Sequence, residues 1–145
     1  MFDFNPIQIL ASVPAIIIIF SIYGYAEAKV ATWLGDPTPG MAGRLTLSPF
    51  AHLDLIGTLC IILVGFGWPK GMAINPSYFK DPRRDMTLLA FSGPIAGLIV
   101  GFIFTFIYVL LSNLNLITSQ GLDMVLQYII LYSIGISLFC LIPFP

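Results

Sequence analysis

In a chain of 145 residues, 58% hydrophobic side chains against 9% charged ones exclude an ordinary soluble domain, where about a quarter of the residues are charged. The formal net charge of −1, with no basic or acidic tract, excludes a nucleic-acid partner of the electrostatic kind. Length and composition together predict one integral, multi-pass domain, 1–145, of a cell membrane.

The first apolar run, about Ile7 to Trp33, is long enough to cross a bilayer. It lacks the basic leading region and small-residue cleavage site of a removable signal peptide, which predicts that it stays in the mature protein. Its end reads Tyr23-Gly24-Tyr25-Ala26-Glu27-Ala28-Lys29. Ionisable groups such as Glu27 and Lys29 inside a hydrocarbon span mark a functional site by default, unless they have reached the headgroups. Gly35 to Ala51 follows, with three prolines and an alternating Arg44-Leu45-Thr46-Leu47 that predicts a short edge strand at the membrane surface.

The second apolar stretch, Leu53 to Gly67, is short and interrupted by Gly57, Gly65 and Gly67. It suits a tilted span, a re-entrant hairpin or a helix packed wholly against protein. Trp68 to Asp85 then holds Lys70, Lys80, Arg83 and Arg84, four of the six cationic residues, and the positive-inside tendency places this loop in the cytoplasm. The third stretch, Met86 to Leu111, carries Gly93, Gly97 and Gly101 at a spacing of four, so one helix face permits close approach of another helix. Packing within the bundle explains that face more simply than a dedicated dimer contact, and Pro94 is expected to kink or start the helix. The fourth stretch runs from Leu122 to Ile142, and Cys60 and Cys140 read as small buried hydrophobes within apolar runs. The fold class is therefore an all-α membrane bundle of about four apolar segments, with a short surface or re-entrant strand-like loop.

Three segments in this order, "YGYAEAKVATWLGDPTPGMAGRLTLSPFAHLDLIGTL", "INPSYFKDPRRDMTLLAFSGPIAG" and "LIPFP", resemble the site-2 protease family of intramembrane zinc metalloproteases from about Ser21 to Pro145. In that family the first helix carries H-E-x-x-H, two histidines on one helical face that bind zinc and a glutamate that acts as general base. The matching positions here read Tyr23, Gly24 and Glu27. The family's substrate-holding asparagine corresponds to Gly97, and its third zinc ligand, an aspartate in L-D-G, would follow Pro145. A catalytic zinc needs about three protein ligands and an open position, so no metal is expected at the family positions, and zinc enters only if the family activity persists.

Glu27, His52 and Asp54 make the remaining candidate polar site. A lone histidine near a polar loop is more often hydrogen-bonded structure than ligand. The spacing of four places Tyr23 and Glu27 on one face, where the tyrosine hydroxyl can donate to a protonated carboxyl group in a dry setting; a wet helix end with an exposed Glu27 fits the sequence equally. The resemblance implies a catalytically degenerate relative that binds a transmembrane segment of another protein or serves as a subunit of a membrane complex. The alternative is an active zinc metalloprotease represented by an altered or truncated chain. A channel or transporter element has only Glu27, Lys29 and Asp54 behind it, since transport paths carry more polar residues within their spans.

Overall fold

The computed structural model describes residues 5–142, and Pro143-Phe144-Pro145 of the "LIPFP" segment lie outside the described residues. Among the described residues three helices are long and apolar enough to cross a membrane: α1 (Pro6–Trp33), α4 (Pro82–Asn113) and α5 (Gln120–Leu141). Between α1 and α4 lie a single-turn helix, α2 (Thr38–Met41), and a ten-residue helix, α3 (Leu55–Val64). The protein is an all-helical membrane bundle.

The helix ends follow local chemistry. Side-chain oxygens of Asn5, Asp54, Asp81 and Ser119 accept backbone N–H groups at the starts of α1, α3, α4 and α5, satisfying donors that have no partner within the helix. In a bilayer that service matters more than in water, because nothing else is present to bond them. Pro14 and Pro94 sit inside α1 and α4, and both helices continue through them. The expectation that Pro94 might start its helix gives way to a start at Pro82, twelve residues earlier, where Asp81 provides the cap.

The three long helices pack mutually. Ile16, Ile19, Phe20 and Tyr23 of α1 form a buried cluster with Ile61 of α3 and Ile136 of α5, and Ala15 of α1 forms a second with Val100 and Ile129. Hydrophobic burial from water cannot drive such contacts within lipid, so shape and small residues decide them.

The second apolar stretch is too short to span. α3 stops at Gly65, whose φ of +80° is the left-handed conformation that glycine adopts without penalty. The chain then returns along α3, where Gly67 lies so close to Gly57 and Ile61 that neither glycine admits a side chain. At the base, the Lys70 N–H donates to the His52 carbonyl over 2.9 Å. Residues 52–70 are therefore a hairpin, and Ile61 is buried in one cluster with Ile16, Ile19 and Phe20 of α1. Of the three readings left open by the sequence, the reversal excludes a single tilted span.

The strand expected at Arg44-Leu45-Thr46-Leu47 is absent, and no strand occurs among the described residues. The alternation found no neighbouring strand to pair with. The Arg44 N–H instead donates to the Pro39 carbonyl, and the Thr46 carbonyl is taken by the His52 ring.

Candidate functional site

Tyr23, Gly24 and Glu27 occupy the inward face of the last turns of α1, where α4, α5 and the hairpin converge. Tyr23 is 5% exposed. Its ring lies against Gly93 of α4, so a Cβ there would collide with it, and Cys140 of α5 packs against the same buried cluster. The sequence left a Tyr23–Glu27 hydrogen bond and a wet helix end equally open; in the fold the Tyr23 ring is packed on Gly93. Cys140 is half-buried.

Gly24 is covered by His52. The imidazole is fully buried against the glycine Cα, and any side chain at position 24 would overlap the ring. His52 Nε2–H donates to the Thr46 carbonyl over 2.7 Å, which fixes the tautomer and leaves the Nδ1 lone pair without a partner. Burial pushes the imidazole below its ordinary pKa, the bond to Thr46 works against this, and the neighbouring Arg44 adds to the lowering.

Glu27 is half-buried and lies within electrostatic range of Arg44. Among the described residues the ion pair that forms is Arg84–Asp85 at 3.0 Å, so Glu27 and Arg44 attract without touching. Arg44 is 7% exposed, and its guanidinium donates through Nη1 to the Ala51 carbonyl at 2.6 Å and through Nη2 to the Gly71 carbonyl. These two carbonyls flank the hairpin, so one planar fork clasps its base. Burial lowers the guanidinium pKa and the Glu27 charge partly offsets that, but arginine stays protonated throughout the physiological range.

The candidate trio Glu27, His52 and Asp54 is not assembled as a metal site. The Asp54 carboxylate is committed to the start of α3, accepting from the Gly57 N–H at 2.7 Å. A capping carboxylate and a metal-binding one look alike in sequence.

Gly97 and Gly101 face α5. A Cβ at Gly97 would strike Ser137 Oγ, and one at Gly101 would press on Ile134. Ser133 and Ser137, both fully buried, line the same seam, and the Ser137 hydroxyl donates to the Ser133 carbonyl at 2.6 Å. The small-residue face is thus shared out, Gly93 against α1 and the other two against α5.

Asp36 escaped the sequence reading. It is fully buried and accepts the backbone N–H groups of Thr38 at 2.9 Å and Asn75 at 2.8 Å, tying two loops 39 residues apart. Burial alone would raise its carboxyl pKa, but the bonds from Thr38 and Asn75 together outweigh it and hold the group below the usual carboxylate range. The available signal was an aspartate just before a proline-rich turn, a common place for such bonding.

No family model matches the chain, and no solved structure matches it. Over 134 residues it is 37% identical to a Bacillus subtilis (strain 168) protein named "Putative zinc metalloprotease YwhC", covering 90% of this chain and 61% of that protein. The likeness supports a metalloprotease-like family. The chain spans less than two thirds of that relative's length.

The residues of this chain do not fit a catalytic zinc. Three protein ligands are needed, and among the described residues no three histidine, cysteine, aspartate or glutamate side chains gather to hold a metal ion. The free Nδ1 of His52 faces the backbone of Gly24 rather than an open volume.

Proposed function

We propose that this chain is a catalytically degenerate, site-2-protease-like membrane protein that keeps the bundle of a protease and uses it to bind a transmembrane segment of another protein, as a partner or as a subunit of a membrane complex. The observation that carries the proposal is the closure of the α1 site. Hydrolysis of a peptide needs a pocket for the scissile bond and an attacking water, whereas Gly24 is covered by His52 and Tyr23 is pressed against Gly93. An apolar groove of about 360 Å³ between the hairpin and α5, lined by Ile61, Phe66, Leu131, Tyr132, Ile136 and Phe139, supports the binding role. Its walls offer a helix mainly apolar contact.

A photo-crosslinking residue in place of Leu131, which is 60% exposed, tests the reading in native membranes. A discrete crosslinked protein of defined mass is the expected product, and crosslinks to lipid alone would overturn the binding role. The second reading, an active metalloprotease, is favoured by the name of the Bacillus relative. Elemental analysis of the purified chain separates the two. Zinc at about one per chain that survives mild chelation would overturn the degenerate reading.

A further inference from the structure

All six lysines and arginines, Lys29, Arg44, Lys70, Lys80, Arg83 and Arg84, fall between the C-terminal part of α1, where Lys29 stands, and the first turn of α4. Those two helix ends meet: Ala31 of α1 and Leu89 of α4 form one buried cluster with Phe79, from the segment just before α4. The cations are therefore gathered at one end of the bundle. The connection at the opposite end, residues 114–119, has no charged residue.

The depth of this end follows from helix length. α4 has 32 residues, about 48 Å at 1.5 Å per residue, against about 30 Å of hydrocarbon. Its first turn, with Arg83 and Arg84, consequently stands in the headgroup layer.

The acidic residues at this end are largely turned inward. Asp36 and Asp85 are buried, Asp54 caps α3 and Glu27 faces Arg44, while Lys70, Lys80, Arg83 and Arg84 are exposed. Arg84 is matched by Asp85, which leaves Lys70, Lys80 and Arg83 as outward charge opposed by the exposed Asp81. The same part of the chain, from the end of α1 to the hairpin, carries apolar side chains with little protein around them: Met41 is 81% exposed, Phe50 86% and Trp33 74%. Cations at phosphate height beside projecting apolar groups are complementary to a leaflet of negatively charged phospholipid.

We infer that this end of the bundle is a binding surface for anionic phospholipid, with Lys70, Lys80 and Arg83 on the phosphates and Met41 and Phe50 among the upper acyl carbons. The surface selects the lipid by charge. It is independent of the proposed binding of a transmembrane segment, which uses the groove beside α5.

Both tryptophans of the chain, Trp33 and Trp68, lie at this end and are exposed, so intrinsic fluorescence reports on it directly. The experiment reconstitutes the purified chain in phosphatidylcholine bilayers containing an equal fraction of either brominated phosphatidylglycerol or brominated phosphatidylcholine. The brominated anionic lipid should be enriched at the tryptophans by about threefold or more at low salt, and the preference should fall towards one at about 1 M salt, where screening acts over roughly 3 Å. Lys80→Gln with Arg83→Gln, both at exposed positions, should reduce the preference while the circular dichroism is unchanged. Equal quenching by the two lipids at low salt would overturn the inference, and so would a preference that the double variant leaves intact.

Discussion

The three-helix bundle and the segment between α1 and α4 are held together by opposite means. In the bundle, contact depends on missing side chains: Gly93 receives Tyr23, while Gly97 and Gly101 receive α5. In the segment 34–81 it depends on side chains that reach backbone: Arg44 to two carbonyls, Asp36 to two N–H groups and His52 to the Thr46 carbonyl. Long helices satisfy their own backbone and need only shape to associate, whereas a hairpin and its loops expose peptide groups that other parts of the protein must satisfy. The regions join where His52, from the second, rests on Gly24, from the first.

That junction should be the most sensitive point. Gly24→Leu places a side chain where a buried ring already sits, and a loss of about 3 kcal/mol or more is expected, the upper end of overpacking. Thermal unfolding in detergent measures it. Adding His52→Ala should recover part of the loss by vacating the ring's volume. Additive losses in the double variant would mean that the two regions do not meet through this contact.

Breaking the clasp comes next. Arg44→Met removes both bonds at the hairpin base and leaves the Ala51 and Gly71 carbonyls short of donors, a loss of about 2–3 kcal/mol. The damage should be local. Hydrogen exchange is expected to rise in 38–72 while α4 and α5 keep their protection, and uniform acceleration across all helices would show that the segment and the bundle unfold as one unit. Arg44→Lys should resemble the methionine variant more than the original, since one ammonium cannot reproduce a two-pronged planar donor.

Gly97→Leu tests the bundle alone. With Ser137 against it, the substitution should cost about 1–3 kcal/mol in detergent stability, and Gly97→Ala less. An unchanged melting profile for the leucine variant would detach this helix face from the account.

What the sequence revealed divides along the same line. The long spans and the glycine spacing were visible because both are periodic and depend on residue type alone. The segment 34–81 was not, because its partners are carbonyls and N–H groups that every residue has. Arg44 was read as part of an alternating strand, Asp54 as a possible ligand and Asp36 was passed over. Each is an acceptor or donor whose partner is fixed only when loops distant in sequence are brought together. At the candidate site the identities Tyr23, Gly24 and Glu27 were legible, but the cover that His52 places over Gly24 was not. It depends on where the hairpin base falls.

The smallest effect expected concerns Asp36, and it carries a pH signature that the bundle lacks. The carboxylate is held below the usual range by the N–H groups of Thr38 and Asn75, so its folded-state pKa lies under its unfolded value near 4. A depressed pKa contributes stability that is fully present above the unfolded value and is lost as pH falls through the folded one. Above pH 5 the contribution should be constant, and it should fade from about pH 4 downwards. Asp36→Asn keeps one acceptor oxygen but turns an amide N–H₂ towards a backbone donor, so a loss of about 1 kcal/mol is expected near neutrality. The difference between original and variant should then narrow as the medium is acidified, because protonation weakens the original in the same place. Melting temperatures of the two chains at pH 7 and at about pH 3.5 decide the matter. A gap that stays constant or widens in acid would show that Asp36 does not work as a charged acceptor. Loop 34–38 and Asn75 would then be joined by packing, as the helices of the bundle are, and the contrast between the two regions would lose one of its three polar supports.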